Sequence, residues 1–277
     1  MNISYHVWRD YKDCPKKFYL NNIKKQPPAV PHNDYFTLYG RLTEKFFQYF
    51  CNVWRFKMPY MPPEEIRFKL NKIYQDLLST TVINWSAPFV RASKDEIFEQ
   101  SCSDICTIMD SPNQNYFLNT KAEITIEVST KIGLNIKGRL DFLHTNPIGN
   151  GIVIFDGKGT EKIGKNVSVD QVLFYALLYF FHFKKVAESL GFFYYRYNTF
   201  SPVPINLDIL NEFRARMSLD LKQILGDKEY KATPCYKSCK YCGYQTICEE
   251  CVADRASRKR NSKLNLPDLE GIQEMGM

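Results

Sequence analysis

Residues 132–183 constrain the fold more than any other stretch. Ile132, Leu134, Ile136, Leu140 and Phe142 fall on alternate positions, with Asn135, Lys137, Arg139 and Asp141 between them. That period of two predicts a strand with one face in a core. A turn-rich link follows (Thr145, Asn146, Pro147, Gly149, Asn150, Gly151), and Ile152-Val153-Ile154-Phe155-Asp156-Gly157-Lys158 then reads as a second strand. Paired as a hairpin, the two runs bring Asp141 and Asp156 together. Alternation puts Asp156 and Lys158 on one side, and Gly157 between them allows close approach of a backbone or ligand. Asp141 shares its face with Lys137 and Arg139, where a bound phosphate would be neutralised. The next segment, Val169 to Phe183, is apolar nearly all round, as in a helix buried against a sheet. It nevertheless carries Gln171 and Tyr175 one turn apart on one face.

Two carboxylates with an adjacent lysine form a donor set suited to Mg²⁺ or Mn²⁺. The lysine can orient or help deprotonate an attacking water and steady the developing charge, as phosphodiester hydrolysis requires. The plainer reading is a hairpin with a solvated acidic and basic face, the usual meaning of an isolated Asp…Asp-x-Lys. Gln171 has a plain alternative too, because Ser168-x-x-Gln171 is a capping-box pattern.

Around this centre the chain divides by pattern. A length of 277 residues suggests one large domain, or one domain with an inserted subdomain. Residues 1–30 form an amino-terminal segment in which Ser4 can cap a short helix and Pro15 suits the first turn of another. Cys14 stands at that junction, where a helix amino terminus favours a thiolate. Residues 31–118 read as helical. After the loop marked by Pro27, Pro28 and Pro31, Asn33 can cap a long aromatic helix. Pro62-Pro63 opens a second helix, and Ser93-x-x-Glu96 caps a third that runs to about Asp110. Gly40 and Glu44 lie one turn apart on the first, so Glu44 is either a surface acid, which base rates favour, or a third metal ligand turned inward. Cys102 and Cys106 are spaced i, i+4 on the third, a spacing that can hold a metal but that more often reflects packing.

Residues 119–230 form the core. Ala122, Ile124, Ile126 and Val128 alternate with Glu123, Thr125 and Glu127, adding a strand that makes an antiparallel meander with the two motif strands. Leu190 to Phe200 reads as a further strand, whose Tyr194 and Arg196 would pack in the sheet or stack on bases. Asn206 to Leu225 reads as a final amphipathic helix. Residues 231–252 hold a cysteine cluster, and 253–277 form a basic, polar and disordered tail.

A net charge of +7 favours a polyanionic partner. No run of about 18 apolar residues predicts a membrane span. The opening residues lack a signal-peptide pattern, which points to the cytoplasm. There, nine cysteines should be thiols or metal ligands rather than disulfides. Cys235, Cys239, Cys242, Cys248 and Cys251 crowd the carboxy-terminal region. Cys239-Lys-Tyr-Cys242 followed by Cys248 is a strong ligand pattern, compatible with zinc on four local cysteines or with an iron–sulfur cluster whose fourth thiolate comes from Cys14.

Taken together, these residues resemble a RecB-like member of the PD-(D/E)XK nuclease superfamily, close to the CRISPR-associated iron–sulfur exonucleases and the AddB-type nuclease domains. In that family an acid ends one strand, an acid-x-lysine ends the next, and the following helix carries Gln-x-x-x-Tyr. Asp141, Asp156, Lys158, Gln171 and Tyr175 match. The iron–sulfur subgroup places one cysteine before a proline near the amino terminus and three near the carboxy terminus as C-x-x-C-x5-C, matched by Cys14-Pro15 and Cys239, Cys242, Cys248. The family's helical Gly-x-x-x-His becomes Gly40-x-x-x-Glu44 here, an oxygen donor that hardens the site toward Mg²⁺ or the mark of a weakened one.

The resemblance implies a restriction-endonuclease-like α/β (α+β) fold: a mixed sheet flanked by helices, a helical amino-terminal region, and a cysteine-ligated 4Fe–4S cluster joining the chain ends. It implies Mg²⁺ or Mn²⁺ on Asp141, Asp156 and Glu44, with Lys158, Gln171 and Tyr175 completing the catalytic set. It also implies exonucleolytic action on single-stranded DNA ends, with recombination, replication or CRISPR adaptation proteins as partners. Two other classes fit the residues: a catalytically weak DNA-binding accessory subunit with the same fold, and a zinc-stabilised nucleic-acid-binding protein.

Overall fold

The computed structural model describes the chain except residues 30–34, 58–59, 84, 86–89, 131–132, 150, 161, 165–166, 236–238, 240–241 and 252–277. Pro31, Asn33, Ile132 and the basic tail therefore lie outside the described residues. In chain order the elements are β1 (Asn2–Ile3), α1 (Tyr5–Asp13), α2 (Pro15–Phe18), α3 (Tyr35–Asn52), α4 (Pro63–Thr80), α5 (Lys94–Met109), α6 (Asn115–Leu118), β2 (Thr120–Ser129), β3 (Asn135–Thr145), β4 (Ile152–Lys158), α7 (Val169–Phe183), β5 (Ser189–Tyr194), β6 (Thr199–Val203) and α8 (Leu207–Gly226). The chain folds as two units, one of Met1–Tyr5 with Asn33–Gln223 and one of His6–His32 with Ile224–Met277.

The first unit is built on a six-stranded sheet ordered β1-β3-β4-β5-β6, with β2 also on β3. The meander is present: β2 pairs antiparallel with β3, and β3 with β4. β4 and β5 run parallel, so the sheet is mixed and α7 is the crossover between those two strands. The expected strand 190–200 is instead a hairpin, β5 and β6. A 3-10 turn at Tyr195–Tyr197 and Asn198 at φ 45° interrupt it, asparagine being one of the residues that tolerates this left-handed conformation. β1 was not foreseen; two residues are too few to show a period.

A strand has two edges, and this fixes where the sheet opens. β2 occupies one edge of β3 from Asn135 to His144. The other edge is shared: β1 takes Asn135 and Ile136, while β4 takes Phe142 to Thr145. Between them, among the described residues, no strand pairs with β3 on that side. The β2–β3 ladder also skips Glu123 and Asp141, with Glu123 at φ 58°. The alternation read from the sequence breaks there. Gly138 faces α7, where an added Cβ would run into Leu178 and stand 3.3 Å from Phe174, whereas Phe142 packs in the cluster with α3.

Helices cover both faces of the sheet. One core joins Leu42, Phe46, Phe47 and Phe50 of α3 to α4, α5, Phe117 and the sheet residues Phe142, Phe155 and Phe193. Phe142 stacks on Phe155 at 4.9 Å and Phe117 on Phe47 at 4.0 Å. α4 starts after Pro62 with Pro63 in its first turn, and α5 starts with the expected Ser93–Glu96 capping box. Cys102 is buried and Cys106 half-buried on α5. Among the described residues no helix is long and apolar enough to cross a membrane.

The second unit joins segments from both ends of the sequence. Pro15 lies in the first turn of α2 and Cys14 is its N-cap residue. Tyr230 stacks on Phe18 and Tyr19, at 5.9 and 5.1 Å. Tyr11 donates to Asp227 at 2.9 Å, and Tyr244 donates to the Gln26 carbonyl at 2.8 Å.

Candidate active site

The ladder between β3 and β4 ends at Phe142↔Phe155. One step further in the same register stand Asp141 and Asp156, and there the strands part: β4 continues along β5 to Lys158↔Tyr194 while β3 stays with β2. The two aspartates thus flank the mouth of a fork in the sheet.

Asp156 is 2% exposed. Gln171 Nε2 donates to its Oδ1 at 2.7 Å. The Lys158 ammonium forms an ion pair with Oδ2, an atom that receives no directed hydrogen bond. Lys158 also donates to Gln171 Oε1 at 3.2 Å, and Gln171 Nε2 reaches the Tyr175 hydroxyl at 3.3 Å. The amide therefore orients acid and lysine at once, using both of its ends. The capping-box reading of Gln171 is corrected here: Ser168 is the N-cap of α7 but makes no side-chain cap hydrogen bond. Gln171 keeps a backbone contact to the Ser168 carbonyl at 2.9 Å and turns its side chain to β4.

The remaining acids close the cluster. Burial, then the charge of Asp156 and a hydrogen bond with it, hold the Asp141 carboxyl well above its ordinary range. Glu44, on α3, is half-buried rather than a surface acid. Burial and then the charge of Asp156 raise it from 4.5 to about 7, against the opposing pull of Arg139 and Lys158. Gln48 Nε2 donates to Glu44 Oε1 at 2.7 Å. Gly40 places this helix, because Gly159, just past β4, packs against it: a Cβ on Gly159 would stand 2.5 Å from Gly40 Cα and 2.9 Å from its nitrogen. Arg139 pairs with Glu123 at 3.0 Å and is 60% exposed, so the cation expected beside Asp141 acts at the rim.

The structure thus brings Asp141, Asp156, Lys158, Gln171, Tyr175 and Glu44 into one site. Three carboxylates face Lys158 as the near cation, and two of them are held toward their protonated forms. This is the condition that a hard divalent cation relieves, and the buried Oδ2 of Asp156 supplies an oxygen with unused acceptor capacity. As placed, Lys158 and Gln171 hold Asp156, and Gln48 holds Glu44. Among the described residues no three Cys, His, Asp or Glu side chains converge on a point that would hold a metal ion.

Two neighbours escaped the sequence reading. Gln48, one turn beyond Glu44, carried the only available hint through its spacing. Tyr195 lies in the turn after β5; its hydroxyl is buried without a hydrogen-bond partner. Tyr194, considered for base stacking, is 1% exposed, and its hydroxyl accepts from the Gly164 N–H at 3.0 Å, so it is a packing residue. Arg196 lies over the Tyr39 ring at 4.5 Å. A separate cavity of about 450 Å³, lined by residues including Leu173, Phe192, Tyr194 and Pro202, has no carboxylate in its wall and is not the acid site.

In the second unit the cysteines are free thiols, with Cys14, Cys239, Cys242 and Cys248 half-buried, Cys235 exposed and Cys251 buried. Burial raises the Cys242 and Cys248 thiols, and Cys14 adds to both electrostatically, as Cys239 does to Cys242. The backbone N–H of Tyr244 opposes this at Cys242, and that of Cys251 at Cys248. Cys14 is therefore a spatial neighbour of the late cysteines.

No curated protein matches the chain. A solved structure from Eubacterium rectale, described as a "Putative exonuclease", superimposes with a TM-score of 0.55 at 12% identity, over 92% of this chain and 88% of its own. The structure of SSO0001 aligns over 90% of this chain and 86% of its own with a TM-score of 0.37 at 13% identity. The family model for the PD-(D/E)XK nuclease superfamily matches residues 2–249. With the forked sheet, the paired aspartates and the lysine bridged by Gln171, that match across nearly the whole sequence places the chain in the PD-(D/E)XK nuclease superfamily.

Proposed function

We propose that this protein is a divalent-metal-dependent deoxyribonuclease, an exonuclease acting on single-stranded DNA ends, with Mg²⁺ or Mn²⁺ held by Asp141, Asp156 and Glu44. The observation that carries the reading is the bridge in which Gln171 joins Asp156 to Lys158 beside Asp141. A cation bound at these oxygens supplies Lewis-acid stabilisation of charge on the phosphate. Lys158 offers its ammonium to a phosphate oxygen or to the attacking water. Gln171 keeps Lys158 and Asp156 in register, and Tyr175 steadies Gln171. The net charge of +7 favours approach of a polyanion.

The same reading gives a 4Fe–4S cluster to Cys14, Cys239, Cys242 and Cys248. One observation supports it: Cys14 lies near the carboxy-terminal thiols of Cys242 and Cys248. Recombination, replication or CRISPR adaptation complexes are the settings in which such an activity belongs, and the cytoplasm its compartment.

The test is Mn²⁺-dependent degradation of end-labelled single-stranded DNA by wild-type protein, Asp156→Ala and Lys158→Ala. Loss of degradation in both variants, with folding intact, is expected. Degradation at the wild-type rate in both would remove these residues from the mechanism.

A further inference from the structure

We infer that Tyr195 is a positioning residue of the acid site, donating its hydroxyl hydrogen from the space left by Gly157 to Glu44 Oε2 when Glu44 holds a metal ion. The inference rests on the metal-site reading above.

Four observations carry it. Tyr195 is 1% exposed, and among the described residues its hydroxyl is the only buried side-chain hydroxyl without a hydrogen-bond partner. A buried donor left unpaired costs on the order of 1–3 kcal/mol, so a ring needed for packing alone would serve better as phenylalanine. The ring does pack, stacking on Phe47 at 5.4 Å and 8° and tilting against Phe193 at 6.0 Å.

The hydroxyl also has a route. Asp156 and Lys158 project toward α7, and Gly157 presents its bare Cα on the opposite side of β4. A Cβ there would overlap the Tyr195 hydroxyl and stand 2.5 Å from its Cζ. The missing side chain of Gly157 is thus the space the hydroxyl occupies, within the acid-lysine motif itself.

The acid it addresses is Glu44. Glu44 lies one turn before Phe47 on α3, and the Tyr195 ring stacks on Phe47; apart from burial, the Glu44 charge also acts on the Tyr195 hydroxyl ahead of Asp141 and Asp156. Gln48 already holds Glu44 Oε1 at 2.7 Å, which leaves Oε2 for a second donor. Two donors, one per oxygen, would fix a glutamate that stands where the family's motif has a histidine. Hydrogen-bond partners of this kind set ligand orientation and tune metal affinity.

The test compares wild type, Tyr195→Phe, Tyr194→Phe, Glu44→Gln and Tyr195→Phe/Glu44→Gln. Mn²⁺ binding is read from the electron paramagnetic resonance of free Mn²⁺, and folding from thermal unfolding in EDTA. Tyr195→Phe should unfold at or above the wild-type temperature in EDTA yet bind Mn²⁺ about tenfold more weakly. Tyr194→Phe, which loses a satisfied hydroxyl away from the acids, should do the reverse. In the Glu44→Gln background the tenfold loss should vanish.

Wild-type Mn²⁺ affinity in Tyr195→Phe would overturn the inference, as would an undiminished loss in the Glu44→Gln background. Failure of Tyr195→Phe to fold where Tyr194→Phe folds would mean that the hydroxyl is already needed without metal, and would overturn it too. Asp156→Asn separates the two readings. If wild type binds Mn²⁺ and Asp156→Asn does not, the metal site stands whatever Tyr195 does. If Asp156→Asn binds like wild type, the metal site fails and the Tyr195 assignment with it.

Discussion

Glu44→Gln should stabilise the protein in EDTA while weakening its hold on metal. The folded state holds the Glu44 carboxyl at about 7 rather than 4.5, so between those values it binds protons that the unfolded chain has released. Stability accordingly falls as pH rises through that window, by about 3 kcal/mol if the whole difference is expressed. Glutamine keeps the oxygen that accepts from Gln48 and never ionises. At pH 8 the variant should therefore be more stable by about 2–3 kcal/mol, or about 5–10 °C in Tm for a unit of this size. Near pH 4.5 the two should coincide. Urea or thermal denaturation in EDTA across this range measures the gap, and adding Mn²⁺ should close or invert it, because a ligand bound only to the folded state stabilises it. Equal stability at pH 8, or a gap of the same size at pH 4.5, would refute the placement of Glu44 among like charges.

Four further expectations follow from the geometry. Gln171→Ala should lower DNA degradation about 10- to 100-fold while leaving the fold intact, since it frees Lys158 and Asp156 from their common partner; single-turnover assays test this. Gly157→Ala should cost about 1–3 kcal/mol through its clash with Tyr195, less in a Tyr195→Phe background, as a denaturation cycle would show. Gly159→Ala meets the backbone of Gly40, whereas Gly138→Ala meets chiefly the end of the Leu178 side chain, so the first should be the more destabilising by urea titration and the more harmful to Mn²⁺ binding. Cys242→Ser should abolish the visible absorption of anaerobically prepared protein and lower its Tm, because cluster binding energy is folding energy; colourless wild-type protein carrying zinc would exclude the iron–sulfur assignment.

The parts of the site legible in the sequence are those that a local period fixes. Alternation set Asp156 and Lys158 on one side of a strand, and helical spacing set Gln171 and Tyr175 on one face. Glu44 was ambiguous because its inward turn depends on two glycines from distant segments, Gly40 and Gly159, meeting in space. Tyr195 was invisible for a related reason. A period-two reading of 190–200 extends one strand, whereas the turn at Tyr195–Tyr197 swings the chain back as β6 and the Tyr195 hydroxyl comes to lie against Gly157. The break at Glu123 and Asp141 left no trace in a pattern whose apolar positions stay even-numbered on both sides of it.

The division of the chain sets an order of assembly. Asn33–Gln223 can begin to collapse during synthesis with only Met1–Tyr5 joining from upstream, but His6–His32 shares its unit with Ile224 onward. The segment bearing Cys14 must therefore wait for the rest of its unit until Ile224 and the residues after it have left the ribosome. Any cofactor spanning its thiol and those of Cys239, Cys242 and Cys248 would be installed late, and a chain halted before Tyr230 would keep a sheet yet lose the ring that stacks on Phe18 and Tyr19.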